Sequence, residues 1–249
     1  MGVLDKDQDK DCHARTPPIW PAYRTCVQLF ALFDLDNTLI DRQAALKRWV
    51  RDFSASRGLA PDAELLLGDT LRARAYPADF DRLRDPLGLS GSAASLWSEY
   101  VSGMSARARC LPGLPDALSQ MRAIGWTLGV VTNGAADIQR AKLESAGLAD
   151  LFDGVCASGE VGVRKPALAV FQAAAERCGT TLAKGGWMVG DNPETDIEGG
   201  RAAGLRTAWI SAGRQWPAGV RSPDVESRTA SEAISLLLEQ DAHHASGAV

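Results

Sequence analysis

Two aspartates stand two positions apart near the start of the chain, in the segment Phe33-Asp34-Leu35-Asp36-Asn37-Thr38-Leu39. They follow an apolar run at 26–33, which is typical of a buried parallel strand. Ligands of open α/β sheets bind outside the carboxyl ends of the strands, so both acids fall where a ligand would lie. Two close carboxylates repel each other unless a cation or a proton offsets their charge. Because carboxylate oxygens suit a hard cation, the pair predicts a Mg²⁺ site.

Three further groups of polar residues share this setting, since each lies at the carboxyl end of a predicted strand: Thr132-Asn133, Lys165-Pro166, and Gly190-Asp191 with Asp196. Each group alone also fits a simpler interpretation, namely a turn, a solvated lysine or a helix cap. Together they supply a hydroxyl, anion-binding amides, a cation and further carboxylates. This combination matches the needs of phosphoryl transfer, in which positioning and charge neutralisation supply most of the catalysis.

The elements that must position these residues alternate between strands and helices. Strands are predicted at 26–33, 127–131, 155–157, 187–189 and 207–210, with helical patterns between them. This alternation predicts an α/β fold with a doubly wound parallel sheet. The block at 42–108 reads as helical throughout, and we interpret it as an insertion after the first strand.

The predicted organisation has four parts. The sheet and its helices occupy 26–41 and 109–240, and the helical insertion occupies 42–108. Residues 1–25, rich in charge and then in proline, are predicted to be a disordered leader, and 241–249 a flexible tail. Thr229 and Glu232 have the spacing of a capping box at the start of the last helix.

Composition argues against several classes of protein. The chain has 249 residues and a formal net charge of −4 without a basic run, so nucleic acid is not an expected partner. Its five cysteines, an odd number without a Cys-x-x-Cys pair, argue against a disulfide framework or a zinc site. No apolar stretch approaches the ~18 residues of a membrane span, and the charged start is unlike a signal peptide. We therefore expect a cytoplasmic protein; the oligomeric state is not predicted.

In order along the chain, the motifs Asp34-Leu35-Asp36-Asn37-Thr38, Thr132-Asn133, Lys165-Pro166 and Gly190-Asp191 with Asp196 resemble the four motifs of the haloacid dehalogenase superfamily of hydrolases. The resemblance covers about residues 28–212. The insertion at 42–108 resembles the α-helical cap of the superfamily's first cap class. One departure is Asn37, which stands where other members have glycine.

The resemblance implies a reaction in which Asp34 attacks phosphorus and becomes an aspartyl-phosphate. Asp36 is expected to protonate the leaving oxygen and then to activate the hydrolytic water. The implied cofactor is Mg²⁺, held by the carboxylates of Asp34 and Asp191 and by the backbone carbonyl of Asp36.

The resemblance also implies roles in binding. Thr132 and the amide of Asn133 are expected to bind phosphoryl oxygens, and Lys165 to neutralise charge on the nucleophile and the intermediate. Asp196 is expected to orient a metal-bound water or Lys165 without touching the metal; capping of a helix near 197 is the alternative role.

Dehalogenases of the superfamily lack an aspartate at the position of Asp36, so its presence favours phosphate esters over haloacids. We therefore predict Mg²⁺-dependent hydrolysis of a small-molecule phosphomonoester through an aspartyl-phosphate, with a small phosphorylated metabolite as the partner. Two alternatives stay open: a phosphomutase of sugar phosphates, which must keep water from its intermediate, and a non-catalytic binding or regulatory protein on the same fold.

The substrate itself is not predicted. The helical insertion and the residues after it contain six arginines near many aspartates: Arg72, Arg74, Arg82, Arg84, Arg107 and Arg109. We interpret this mixture of charges as solvated helix faces rather than as a site for an anionic substrate arm.

Overall fold

The computed structural model describes residues 28–246. The predicted leader at 1–25 lies outside the described residues, and so does the end of the predicted tail. The described strands are β1 (Phe30–Phe33), β2 (Thr127–Thr132), β3 (Gly154–Ala157), β4 (Trp187–Gly190), β5 (Arg206–Ile210) and β6 (Val225–Ser227). They form one sheet in the order β3-β2-β1-β4-β5-β6, and every neighbouring pair is parallel. The predicted α/β fold with a parallel sheet is confirmed.

Helices connect the strands and cover both faces of the sheet. The described α-helices are α1 (Arg42–Arg57), α2 (Pro61–Arg72), α3 (Pro77–Arg84), α4 (Ala93–Arg107), α5 (Leu114–Ala123), α6 (Ala136–Ser145), α7 (Ser158–Val161), α8 (Leu168–Arg177), α9 (Gly199–Ala202) and α10 (Ala230–Ser246). Shorter turns of 3₁₀-helix lie at Ala149–Leu151 and Leu182–Lys184, and a π-helical turn lies at Pro193–Glu198. Within residues 28–246, no helix combines the length and the apolar character needed to cross a membrane.

Strand β1 lies at the centre of the sheet, and its four residues are fully buried. Ala31 and Phe33 join the apolar cluster that includes residues of α5 and α10. Phe30 and Leu32 join a second cluster, with residues of α8, on the other face. This alternation is the period of two that a strand imposes on its side chains, and it explains why a strand buried on both faces reads as one apolar run.

Helices α1 to α4, residues 42–107, form what we call the helical segment. Its buried side chains form an apolar cluster that also includes Ile138 of α6. Aromatic side chains fill this cluster: the rings of Trp49 and Phe53 stack with centroids 4.6 Å apart, and Tyr100 meets Trp49 edge-on at 4.9 Å. The segment leaves and rejoins the rest of the chain at one place. There Ile40 and Cys110 form an antiparallel bridge, and Leu111 N–H donates to the Leu39 carbonyl at 3.0 Å.

Several details differ from the sequence-based expectations. The short elements α3 and β6 were not predicted, and the helix expected at 197–203 is replaced by the π-helical turn and α9. The capping box is confirmed, because Glu232 N–H donates to the Thr229 hydroxyl at 3.2 Å and Thr229 N–H donates to the Glu232 carboxylate at 3.3 Å. Helix α10, which this box opens, continues to Ser246.

Candidate active site

A cavity of about 170 Å³ lies at the carboxyl ends of β1, β2 and β4. Parallel strands bring the residues that follow them to one edge of a sheet, which is why residues far apart in sequence meet here. All seven predicted site residues line this cavity: Asp34, Asp36, Thr132, Asn133, Lys165, Asp191 and Asp196.

The loop after β1 carries the paired aspartates and turns sharply. Asp34 N–H continues the sheet by donating to the Val189 carbonyl at 2.9 Å. Asn37 then adopts a left-handed conformation with φ of 62°, and its N–H donates to the Ile40 carbonyl at 2.7 Å. Asparagine is one of the few residues besides glycine that tolerate this conformation. The departure noted at this position is therefore compatible with the turn that the loop requires.

Lys165 lies at the centre of the acidic side chains. Its buried ammonium is 2.6 Å from an Asp34 oxygen and 2.8 Å from an Asp196 oxygen. Burial alone would lower the pKa of Lys165, but the two carboxylates outweigh it and raise that pKa well above its ordinary value. The ammonium therefore stays charged and holds both acids in place.

The carboxylates of Asp34, Asp191 and Asp196 crowd together, with one oxygen of each lying within 4.8 Å of the others. Burial raises the pKa of Asp34 to about 8; Asp196 and Asp191 add to this effect, while Lys165 opposes it. Burial, followed by repulsion from Asp196, raises the pKa of Asp191 to about 6. The three carboxylates face the Lys165 ammonium and the exposed Arg214 guanidinium, which lies 3.2 Å from an Asp191 oxygen, so an excess of negative charge remains. A cluster of hard oxygen donors with this excess fits a divalent cation.

Each carboxylate oxygen of Asp196 has a close partner. One oxygen lies against Lys165, and the other accepts from Asn192 N–H at 3.0 Å. The adjacent turn is capped by Asn192, whose side chain accepts from the N–H groups of Glu194 and Thr195. The capping role considered for Asp196 therefore belongs to Asn192.

The loop after β2 is joined to the loop that carries the lysine. The Asn133 side chain donates to the Lys165 carbonyl at 3.1 Å and accepts from Lys165 N–H at 2.9 Å. These two bonds use the Asn133 amide group as a brace between loops. The neighbouring Thr132 is buried, and its hydroxyl accepts from the Gln139 side chain.

Asp36 has two partners that the sequence analysis missed, both on α6. The buried ammonium of Lys142 is 2.9 Å from each Asp36 oxygen, and Gln139 donates to Asp36 at 3.3 Å. Gln139 also accepts from Lys142 at 2.7 Å, so it links Thr132, Asp36 and Lys142. Burial lowers the pKa of Lys142, and Asp36 opposes this effect. Lys142 and Gln139 are thus hydrogen-bonded to each other, and both donate to the Asp36 carboxylate.

A third residue missed from sequence is Arg42, in the first turn of α1. Its buried guanidinium donates to the carbonyls of Leu71 at 2.7 Å and Arg72 at 2.5 Å. These are among the last carbonyls of α2, which have no partner within their own helix. The Arg42 Nε is also 3.6 Å from an Asp36 oxygen. Arg42 therefore joins the end of α2 to the acid that follows β1.

The helical segment contributes one wall of the cavity. The wall consists of Arg42 and Gln43 from α1, the end of α2 with the following loop at 73–76, and Tyr100 from α4. The cavity therefore combines acids and Lys165 from the loops after the strands with arginines from the helical segment.

A family model and several known proteins match this chain. The family model of haloacid dehalogenase-like hydrolases matches residues 31–204. A phosphoserine phosphatase of Thermus thermophilus is 36% identical over 160 residues, which are 63% of this chain and 64% of that protein. The pyrimidine 5′-nucleotidase YjjG of Escherichia coli is 43% identical over 114 residues, 45% of this chain and 50% of that protein. The matched part of the chain thus spans about half to two thirds of the length of these relatives.

A solved structure has the same fold. The putative HAD-hydrolase YfnB of Bacillus subtilis superposes with a TM-score of 0.68 at 24% identity, over 85% of this chain and 99% of that one.

Proposed function

We propose that this chain, which belongs to the haloacid dehalogenase-like hydrolases, is a Mg²⁺-dependent phosphatase that hydrolyses a small phosphomonoester. The observation that carries the proposal is that one cavity holds two separately partnered acids, Asp34 on Lys165 and Asp36 on Lys142. A nucleophile and a proton donor in different environments are what ester cleavage requires. Support also comes from two relatives whose names concern phosphate esters, a phosphoserine phosphatase and a pyrimidine 5′-nucleotidase.

Asp34 acts as the nucleophile in this proposal. One of its carboxylate oxygens forms a bond to phosphorus while the bond from phosphorus to the ester oxygen breaks, which gives an aspartyl-phosphate. The Lys165 ammonium, 2.6 Å from the Asp34 carboxylate, offsets negative charge on the nucleophile and on the phosphoryl group.

Asp36 transfers the protons. In the first step it gives a proton to the departing ester oxygen, and the alcohol leaves neutral. In the second step it removes a proton from a water that attacks phosphorus, which releases inorganic phosphate and restores the Asp34 carboxylate. Lys142 and Gln139 hold the Asp36 carboxylate through three hydrogen bonds during both steps.

The carboxylates of Asp34 and Asp191, with the backbone carbonyl of Asp36, would hold the Mg²⁺ ion. When bound, the cation offsets the repulsion between nucleophile and phosphoryl group and so supports their approach. Asp196 stays on Lys165, since both of its oxygens are already engaged, and orients that ammonium.

Thr132 and the backbone amide of Asn133 bind phosphoryl oxygens. Because the Asn133 side chain is bonded to the backbone of Lys165, the anion-binding amide and the ammonium keep a fixed relation. The helical segment acts as a cap, in line with the partition into 26–41, 42–108 and 109–240: it covers the cavity and limits the access of water.

The first test is phosphate release from a panel of phosphomonoesters, with Mg²⁺ and with EDTA. We expect release that needs Mg²⁺ and that falls by about 10⁴-fold or more in Asp34→Asn. The matched control is Asp81→Asn, which makes the same change on an exposed face of α3 away from the cavity. A phosphoryl adduct found on Asp34 by mass spectrometry after rapid quenching would identify the nucleophile directly.

Two results would contradict the proposal. One is activity that survives Asp34→Asn after deamidation of the new asparagine has been excluded by mass spectrometry. The other is a folded, unsubstituted protein that releases phosphate from no ester of the panel, which would favour a binding role. Conversion of one sugar phosphate into its isomer, without phosphate release, would instead identify a phosphomutase.

A further inference from the structure

Five of the six arginines noted in and after the helical segment have partners on the protein. The pairs are Arg72 with Asp69, Arg82 with Asp79, Arg84 with Asp85, Arg107 with Asp52, and Arg109 with the carbonyls of Ala106 and Ala108. These five fit the interpretation of solvated, mutually compensating faces. The sixth, Arg74, has no hydrogen bond or ion pair to any residue within 28–246, and it lines the active-site cavity.

The other cations that line the cavity are already engaged. Lys165 contacts Asp34 and Asp196, and Lys142 contacts Asp36. The remaining two are Arg42, bonded to carbonyls of α2, and Arg72, paired with Asp69. Among the described residues, Arg74 is therefore the cavity cation whose charge and donors are still available.

The loop at 73–76 that carries Arg74 is anchored at both ends. At its start, Arg42 donates to the carbonyl of Arg72. At its end, the backbone N–H of Tyr76 donates to the Asp79 carboxylate at 2.8 Å. The backbone of Arg74 is thus positioned by buried or partly buried bonds while its guanidinium is free, which reduces the ordering cost of binding a ligand.

We propose that Arg74 forms a subsite for a second anionic group of the substrate, a carboxylate or a second phosphate. The proposal rests on the proposed phosphatase function and narrows its substrate class to small phosphomonoesters with a second negative charge. A guanidinium binds either oxyanion through two parallel hydrogen bonds. The location fits, because Arg74 lines the cavity from the helical segment, whereas the acids and Lys165 lie on the loops that follow the strands.

The test uses a ladder of ω-phosphooxy carboxylic acids with two to six carbons, each compared with its own carboxamide. The amide keeps the size of the acid but removes its charge, so the ratio of the two kcat/KM values measures recognition of the anion. We expect the unsubstituted protein to favour the acid by about tenfold at one or two chain lengths, and Arg74→Gln to bring the ratio close to one. Arg74→Lys should retain part of the preference, since it keeps the charge but loses the two parallel N–H donors of the guanidinium.

A matched control and a second arm complete the design. Arg82→Gln makes the same change on a helical-segment arginine that is 79% exposed and outside the cavity, and it should leave the ratio unaltered. Diol bisphosphates compared with the corresponding monophosphates distinguish a second phosphate from a carboxylate. A ratio near one in the unsubstituted protein for every acid and bisphosphate, or a preference that survives Arg74→Gln, would overturn the subsite.

Failure of the proposed phosphatase function would give results different from those expected for failure of the Arg74 subsite. If the folded protein hydrolyses neither these esters nor p-nitrophenyl phosphate, the phosphatase proposal is wrong. Calorimetric titration of the same acid and amide pairs, in the presence of Mg²⁺, then measures the subsite as a ratio of dissociation constants. A ratio that Arg74→Gln abolishes supports the subsite without any turnover, and equal dissociation constants overturn it.

Discussion

At the scale of single residues, the two acids proposed for the chemistry have separate buried cations. Asp34 is 2.6 Å from Lys165, whereas Asp36 is 2.9 Å from Lys142. Lys165 also contacts Asp196, so it belongs to the crowded acid cluster, and Lys142 does not. Changes at the two lysines should therefore have different consequences: loss of Lys165 affects the nucleophile, and loss of Lys142 affects the proton donor.

Lys142→Met should slow the hydrolysis of esters with poor leaving groups far more than the hydrolysis of esters with good ones. Both esters form the same aspartyl-phosphate, so they differ only in the first step, where an alkyl oxygen needs a proton in order to leave and p-nitrophenolate does not. The value of kcat/KM, which is set before the intermediate is hydrolysed, therefore depends on proton donation by Asp36 only for the alkyl ester. We expect a loss of about 10²-fold in kcat/KM for an alkyl phosphate and of less than about tenfold for p-nitrophenyl phosphate. Steady-state kinetics with both esters provide the measurement.

The comparison within one variant cancels any loss of folded protein. Lys184→Met, the same change at an exposed lysine, serves as the control. Equal losses of kcat/KM for the two esters would show that Lys142 does not act on the leaving group through Asp36.

The motif residues can be predicted from the sequence, but the residues that contact and position them cannot. Asp34 and Thr132 each follow an apolar run, and a parallel sheet necessarily gathers such positions at one edge. Gln139 and Lys142 stand three apart on a helix, a spacing that usually marks a solvated face. They are buried because α6 packs against α4 and lies beside the loop after β1, and these contacts depend on the tertiary structure rather than on the local sequence. Arg42 was missed for the same reason.

At the scale of elements, the end of β4 is as tightly packed as the core. A Cβ added at Gly190, the last residue of β4, would lie 2.3 Å from an Asp196 carboxylate oxygen. The π-helical turn after β4 brings Asp196 back over that glycine, and both parts are needed to place the carboxylate on Lys165.

Gly190→Ala should therefore displace Asp196 and lower both stability and activity. Inserting one methyl group into a packed site costs about 1–3 kcal/mol, and here the group that must move is a buried, bonded carboxylate. Urea denaturation would measure the free energy of unfolding, and phosphate release would measure the accompanying loss of Lys165 orientation.

The same substitution at Gly68, within α2, is the control of opposite sign. Its added Cβ would meet only Val50 Cγ1, at 3.9 Å. Alanine is the better helix former, so Gly68→Ala should stabilise the protein by about 0.5–1 kcal/mol. A stabilising Gly190→Ala would show that the carboxylate accommodates the methyl group.

Element prediction succeeded where periodicity was long and failed where tertiary contacts decided. Leu46, Trp49, Val50 and Phe53 have helical spacing, and α1 buries all four. Helix α3 has eight residues and strand β6 has three, too few for a pattern to stand out. The turn after β4 is π-helical, with Ile197 N–H donating to the Asn192 carbonyl, because Asp196 must reach back toward Gly190. No local signal in the sequence specifies that requirement.

At the scale of the whole molecule, we expect the acid cluster to make stability depend on pH and on Mg²⁺. The folded-state pKa values of Asp34, about 8, and Asp191, about 6, lie above the ordinary value of 3.8. Between pH 4 and 8 the folded chain thus binds more protons at these two sites than the unfolded chain does. The free energy of unfolding should then fall as pH rises through this window when no divalent cation is present.

Added Mg²⁺ should reverse this loss, because the cation binds the ionised carboxylates. At one fixed concentration, about a hundredfold above its dissociation constant at pH 8, Mg²⁺ should raise Tm by about 5–10 °C at pH 8 and by much less at pH 5, where protonation weakens its binding. Thermal denaturation in Mg²⁺ and in EDTA, at matched ionic strength, provides the measurement. Asp191→Asn should flatten the Mg²⁺ dependence, whereas Asp81→Asn should retain it. A Mg²⁺ effect of equal size at both pH values would argue against binding at this cluster.

The bridge between Ile40 and Cys110 allows the helical segment to be exchanged during evolution. Since the chain departs and returns at adjacent points, the intervening helices can be exchanged for another set while the sheet keeps its register. The acids and the lysine that we assign to ester cleavage all lie outside the exchanged stretch, and Arg74 lies within it. A transplant that preserves the Arg42 contact to Asp36 and the Trp97 hydrogen bond to Asp137 of α6 would alter which molecules are accepted and leave the reaction itself in place.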